Sequence, residues 1–315
     1  MSSSQQSSSS SEISPSSAQS AEAVQSAQAP HPCPSIPTVW LNGRFLQANE
    51  ASISPLDRGF LYGDGVFETM RAEKGALLYL RDHLERLRNS LDALRIAADL
   101  SFGPGNILRE LLRRNGLEEE IASVKIIISR GICPTLGLPA TPAATILLTA
   151  QKYVPPTSDT YHRGWRLHVF RKGFSPPLAA HKTLNYLYFL TARQAALDAG
   201  ADEAVLLDPS GKVTETSAGS LLARTNGVWW TPRSSYQLPG ITVRQISKLL
   251  SKKGNRVEER EATIEELLSA QTVWALNSLM AIMPASHIAG HQVPEMSADE
   301  ASALRRIFIQ KGVIS

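Results

Sequence analysis

Lys182 stands just ahead of an apolar stretch in residues 181–190, HKTLNYLYFL. A lysine held in a partly desolvated site loses its proton more readily and can form a Schiff base with an aldehyde. The ordinary alternative is a solvated surface lysine. Four other features carry chemistry that would suit the first role. Residues 238–245, LPGITVRQ, place Gly240, Ile241 and Thr242 at a helix start, where free backbone N–H groups and the helix dipole attract an anion. Arg86 lies beside a Leu84/Leu87 stripe, near enough to a buried face to reach an internal phosphate. Glu215, within KVTETSAGSLL, is a carboxylate on a strand hemmed by small residues, placed to pair with a protonated ring nitrogen. Asn277 and Ser278 end a strongly apolar strand and offer an amide and a hydroxyl to another side of a phosphate. Taken singly, each has an ordinary reading: a helix entry, a solvated flank, a surface strand residue, a strand end. Together they match what a phosphorylated pyridine aldehyde requires, namely a lysine, a carboxylate for the ring nitrogen and a phosphate cup.

The elements that must position these groups are written in local patterns. In TVWLNGRFL, two apolar runs flank Asn42-Gly43, a pair suited to a two-residue hairpin turn. GVFETMRAEKGALLYL predicts a second strand pair turning near Lys74-Gly75. A helix over RDHLERLRNSLDALRIAA puts Leu84, Leu87, Leu91 and Leu94 on one face, with Asp82 and Glu85 at N-cap and N3 spacing. GNILRELLRRNG predicts a helix stopping at Asn115-Gly116, and SVKIIISRG and AATILLTAQ predict strands. Beyond the Pro-rich stretch KYVPPTSDT come a strand at WRLHVF, a helix over TLNYLYFLTARQAALDAG, and a strand-and-turn series through VWWTP. A helix follows the Pro-Gly turn, then a capping box from Thr263 to Glu266, and a buried strand in TVWALNSLMAIMP. Strands and helices mix in both halves without strict βαβ alternation, which predicts an α+β fold in two domains.

Composition narrows the class. The chain has 315 residues, 43% hydrophobic and 19% charged, enough for a sizeable core. A net charge of +3 is too small to draw in nucleic acid or a membrane surface. Two cysteines, Cys33 and Cys133, fit a reducing, cytoplasmic compartment, and no CxxC or HExxH spacing supports a metal. Residues 1–37 hold fourteen serines and no lysine or arginine, the composition of a disordered tail rather than a targeting signal. The expected organisation is this tail, a domain over 38–152, a linker over 153–160, and a domain over 161–315 that carries Lys182.

The segments DRGFLYGDGVFETMR, DHLERL, ISRG, HKTLNYL, ADEAVLLDPSGKVTET and LPGIT occur in an order and spacing that resembles the pyridoxal-phosphate enzymes of fold type IV, the class IV aminotransferases. The resemblance runs from about Val39 to about Ala289. It implies Lys182 as the Schiff-base lysine, Glu215 as partner of the pyridine nitrogen, and Arg86, Ile241, Thr242, Asn277 and Ser278 around the phosphate, with pyridoxal 5′-phosphate as cofactor. It also implies a homodimer, with Tyr186 near the cofactor. Tyr62 and Arg130 are the substrate-binding candidates, Arg130 for a substrate carboxylate. Residues 277–285, NSLMAIMPA, look like the Asn-x-Leu-Met-x-x-Met-Pro pattern of the 4-amino-4-deoxychorismate lyases, where transaminases carry a threonine and a glutamate. The expectation is therefore a lyase that releases pyruvate and 4-aminobenzoate for folate synthesis, with Met280 and Ala281 as an apolar wall for a flat ring. Branched-chain or D-amino-acid aminotransferase is the alternative, and a non-catalytic binding module a remoter one.

Overall fold

The computed structural model describes residues 36–139 and 143–314, so the Ser-rich segment and Cys33 lie outside the described residues. The first half runs β1 (Thr38–Leu41), β2 (Arg44–Gln47), α1 (Arg58–Tyr62), β3 (Gly65–Glu73), β4 (Ala76–Leu77), α2 (Leu80–Ala93), α3 (Pro104–Arg114), β5 (Ile121–Ser129) and β6 (Thr145–Lys152). Its strands form an antiparallel sheet in the order β2-β1-β6-β5-β3-β4. Both expected hairpin turns are present. Asn42 and Gly43 have φ of 47° and 93°, and Lys74 and Gly75 have 48° and 73°, the left-handed backbone such turns demand.

Strand pleating then splits the sheet into two unlike faces. Val66, Met70, Val124, Ile126 and Ile128 turn to one side, where Leu87 and Leu91 of α2 and Leu108, Leu111 and Leu112 of α3 close over them. Burying each of these leucines contributes about 1.5–3 kcal/mol. Phe67, Thr69, Ser123, Lys125 and Gln151 turn to the other side, which walls a cleft.

The second half runs α4 (Ser158–Arg163), β7 (Trp165–Val169), a 3-10 turn at Pro177–Ala180, α5 (Leu187–Asp198), β8 (Glu203–Leu207), β9 (Val213–Thr216), β10 (Ser220–Thr225), β11 (Val228–Pro232), α6 (Ile241–Lys252), β12 (Val257–Arg260), α7 (Ile264–Leu268), β13 (Thr272–Asn277), β14 (Ala281–Ile288), β15 (His291–Gln292) and α8 (Ala298–Ile314). The strands make a mixed sheet in the order β12-β11-β10-β13-β14-β7-β8-β9, with β15 added on β14. Two sheets flanked by helices are the α+β fold expected from the sequence. The capping box of Thr263 and Glu266 starts α7. The stretch 153–160, read as a linker, runs directly into α4, whose N-cap Thr157 accepts from the Thr160 N–H.

One local expectation gives way to tertiary contacts, and one helix was not expected at all. Helix α2 begins at Leu80 behind a left-handed Tyr79 and has no side-chain cap. Asp82 instead reaches α6, pairing with Arg244 at 3.0 Å and accepting from Gln245 at 2.7 Å. Helix α8, which the sequence patterns did not announce, buries Ala301, Leu304 and Phe308 against Ile246 and Leu250 of α6. Its Phe308 carbonyl accepts from the Tyr79 hydroxyl at 2.7 Å.

The two sheets meet at residues 182–184. Val66 bridges to Thr183, the Phe67 N–H donates to the Lys182 carbonyl at 2.8 Å, and the Leu184 N–H to that of Gly65 at 2.9 Å. Gly65 permits the approach, since a Cβ there would lie 2.7 Å from the Leu184 side chain. Among the described residues no helix is long and apolar enough to cross a membrane, and no His/Cys/Asp/Glu group is arranged to hold a metal.

Candidate active site

Lys182 enters a cavity of about 470 Å³ between the two sheets. Its backbone is held by β3, and its Nζ lies 4.4 Å from the centre of the Phe67 ring and 5.2 Å from that of Tyr186. Burial, reinforced by the Arg86 charge, pushes the ammonium down to about 8, with Glu68 and Glu215 pulling the other way. A neutral amine is thus within reach near neutral pH. Glu215, on β9, is 6% exposed, and burial pushes its carboxyl up to about 8 although the Leu238 N–H donates to it. A cation brought against it, such as a protonated ring nitrogen, favours its ionised form. The Tyr186 hydroxyl donates to the Ser217 carbonyl at 3.1 Å, and burial pushes the phenol up to about 12, so it stays protonated.

The anion cup assembles at the start of α6. Gly240 is the N-cap, and α6 begins with no side-chain cap, leaving its first N–H groups toward the cleft. A Cβ on Gly240 would overlap the Ser220 hydroxyl and press on Val243, so a larger residue would force these side chains to move. Thr242 Oγ1 is buried with no partner among the described residues. Arg86 enters from α2, its Nη1 donating to the Pro239 carbonyl at 3.0 Å. Ser278 closes the far side, and the Asn277 side chain holds that turn by accepting from the N–H groups of Leu279 and Met280. An orphaned hydroxyl, an uncapped helix start and an arginine converge, so these residues fit a phosphorylated group, with Lys182 set for its aldehyde and Glu215 for a ring nitrogen.

The amino-transferase class IV family model matches residues 65–288, which span the cup, Lys182 and Glu215. The chain belongs to the class IV aminotransferase family. It is 33% identical to a putative branched-chain-amino-acid aminotransferase of Methanocaldococcus jannaschii, over 83% of this chain and 91% of that protein. It is 30% identical to an aminodeoxychorismate lyase of Bacillus subtilis, over 86% of this chain and 93% of that one. A branched-chain amino acid aminotransferase from T.th., solved with pyridoxamine 5′-phosphate, superposes with a TM-score of 0.80 at 27% identity, covering 88% of this chain and 94% of its own. Similarity of this degree to both kinds of enzyme marks the family and leaves the branch open.

Of the class IV site residues expected from the sequence, Arg86, Lys182, Tyr186, Glu215, Ile241, Thr242, Asn277 and Ser278 all line the one cleft. Arg130 and Tyr62 do not. Arg130 is fully buried and pairs with Asp64 through Nε at 2.8 Å and Nη2 at 3.0 Å, while the carbonyls of Leu94, Arg95 and Pro139 take its other N–H groups. It is a structural pin with nothing left for a substrate. Tyr62 is 54% exposed on α1, beside the Arg58 guanidinium and away from the cleft. Met280 and Ala281 also turn inward, Met280 packing on Tyr161 and Met283, and Leu279 borders the cleft in their place.

Sequence reading missed Lys125, Gln151 and Tyr153, which face the cleft from the first sheet, and Glu68 and His83 behind the cup. One signal was available. Glu68 occupies the apolar phase of β3 between Val66 and Met70, where a carboxylate needs a reason.

Proposed function

We propose that the protein is a pyridoxal-phosphate-dependent 4-amino-4-deoxychorismate lyase of the cytoplasm, releasing pyruvate and 4-aminobenzoate for folate synthesis. The cofactor is pyridoxal 5′-phosphate, which when bound supplies an aldehyde that condenses with amines and a ring that withdraws electrons from the adjoining carbon. The observation that carries the substrate reading is Lys125. It faces the cleft from β5, flanked by Ser123, Thr69 and Gln151, and among the described residues it has no ion-pair partner. A substrate with its amine at one end of a flat ring and a carboxylate at the other suits Lys182 on one wall and Lys125 on the opposite one. A branched aliphatic side chain set against that wall would leave a desolvated ammonium unmatched.

The residues then divide the work. Lys182 would hold the cofactor's aldehyde and, as a neutral amine, would take the proton from the substrate's amine-bearing carbon. Glu215 keeps a proton on the ring nitrogen. Lys125 receives the carboxylate, and Leu279, Leu190 and Phe189 give the ring an apolar surface. Loss of that proton and of the neighbouring enolpyruvyl ether yields the aromatic amine and pyruvate, with no external oxidant.

The active form is a homodimer. Leu56, Phe60 and Leu61 on and before α1, and Leu136 in the loop that Arg58 ties to it, are exposed, Phe60 by 77% and Leu136 by 79%. An apolar patch of this kind suits a second copy of the chain.

The same Lys125 would also take the distal carboxylate of glutamate, which favours an aminotransferase using 2-oxoglutarate as the second reading. Incubation with aminodeoxychorismate and no keto acid distinguishes them. Pyruvate and 4-aminobenzoate in equal amounts support the lyase. Exchange between an amino acid and 2-oxoglutarate, with no aromatic product, moves the enzyme to the transaminase branch.

A further inference from the structure

Behind the cup lies a buried chain of side chains that none of the roles above employs. Glu68 is 1% exposed. Its Oε1 accepts from Arg86 Nε and its Oε2 from Arg86 Nη2, each at 2.7 Å, and Oε2 also meets His83 Nδ1 at 2.7 Å. Nε2 of the same imidazole lies 3.4 Å from the Ser278 hydroxyl. His83 and Arg86 are three apart on α2 and share a face, so one carboxylate on the neighbouring strand holds both. A charge buried among leucines is costly unless paired, and replacing such a pair by apolar residues is often neutral for stability. Its presence here points to the cup it adjoins.

We propose that Glu68 and His83 are positioning residues of the anion cup: Glu68 fixes the Arg86 guanidinium beside the start of α6, where its Nη1 also meets the Pro239 carbonyl, and His83 couples Glu68 to Ser278, so that a dianion entering the cup draws a proton onto His83. This rests on the reading of Arg86, Thr242 and Ser278 as an anion site. The hydrogen-bond polarity requires it. The paired Glu68 carboxylate only accepts, so His83 donates through Nδ1 and, when neutral, presents the Nε2 lone pair to Ser278. In that state the Ser278 hydroxyl donates to His83. A dianion in the cup claims that hydroxyl proton, leaving Nε2 and Oγ with lone pairs opposed. A proton on Nε2 resolves the conflict, because His83 then donates to Ser278, Ser278 donates to the anion, and Glu68 balances the imidazolium. The charged groups facing His83 are Glu68 on β3, Arg86 on its own helix, and Lys182 on the segment joined to β3. Burial and the two cations keep the ring neutral while the cup is empty, and the entering dianion reverses that balance.

The test titrates the full-length, cofactor-free protein with sulfate, a dianion throughout the working range, at pH 7 in two buffers of different ionisation enthalpy. Calorimetry is expected to show uptake of about one proton per anion by the unmodified protein, and none by His83→Gln or by Ser278→Ala, which leaves the buried pair intact. In parallel, pyridoxal 5′-phosphate and unphosphorylated pyridoxal are titrated against the same proteins. Glu68→Gln and His83→Gln are expected to lower affinity for the phosphorylated form about 10-fold and to leave pyridoxal within about twofold. Equal losses for both ligands, or undiminished proton uptake by His83→Gln, overturn the proposal. Arg86→Ala serves as the reference. If it lowers the ratio of the two affinities and the Glu68 and His83 variants do not, the positioning role alone fails. If it too leaves the ratio unchanged, the cup reading falls and the proposal with it.

Discussion

The two walls of the cleft are built differently. The wall holding Lys182, Glu215, Thr242 and Ser278 is made of element ends: a strand-like segment before α5, the tip of β9, the first turn of α6 and the turn after β13. There the backbone stops satisfying itself, and its N–H groups converge with side chains on one point. The wall holding Thr69, Ser123, Lys125 and Gln151 is the open face of a continuous antiparallel sheet, where Thr69 pairs with Lys125 and Ser123 with Gln151. Each of those side chains can change without disturbing a ladder hydrogen bond. The first wall is therefore suited to holding an anion and a reactive amine in one fixed geometry, and the second to contacts that side-chain changes can retune.

Lys182→Ala tests the first wall and carries the largest effect. Turnover falls by at least about 10³-fold while the fold persists, read by steady-state rates beside circular dichroism. Two arginines sharpen the contrast, because Arg86 lines the cleft at the cup whereas the fully buried Arg130 pairs with Asp64 away from it. Arg130→Ala destabilises the protein by about 3 kcal/mol in denaturant titration, since the carbonyls of Leu94, Arg95 and Pro139 lose their donor and Asp64 is left, among the described residues, with Arg58 alone, while activity per folded molecule is retained. A loss of activity without a loss of stability would return Arg130 to the site.

Glu215 yields a pH signature. In the cofactor-free protein, burial raises its carboxyl from the ordinary 4.5 to about 8. Between those values the unfolded chain has released a proton that the folded one retains, so this group's contribution to stability falls as pH rises through the window. Glu215→Gln is expected to stabilise the cofactor-free protein at pH 8, relative to pH 4.5, by roughly 4 kcal/mol in thermal melts, and to impair turnover. A pH-independent difference would show that Glu215 is ionised in the empty cleft. Lys125→Ala has the smallest effect, raising KM about 10-fold, roughly 1.4 kcal/mol, with kcat little changed. An unchanged KM would take the second wall out of substrate recognition.

Features set within a few residues were legible in advance. The hairpin pairs Asn42-Gly43 and Lys74-Gly75, the Thr263–Glu266 capping box and the glycine-led start of α6 each depend on backbone preferences that a short stretch carries with it. Asp82 shows the limit, for its local pattern is that of an N-cap, and an arginine 162 positions away claims it instead. Asn277 shows another, lying on the cleft as expected while its side-chain oxygen is committed to the turn that presents Ser278.

The kinds of group at the cup and their order along the chain were settled by the amino-acid sequence, because a lysine before an apolar helix, a Pro-Gly helix start and a strand-borne glutamate are local statements. Which charged groups face the cleft was settled by folding alone. Arg130 and Lys125 lie five residues apart, on opposite phases of one strand and its extension, but that alternation does not say which face opens on a cleft. Pairing between β3 and β5 turns Lys125 to the open face, whereas Arg130, just past the strand end, meets Asp64 and three carbonyls that fill its donors. A side chain's availability depends on what else is within reach, and that is set by strand register and packing between segments far apart in the chain.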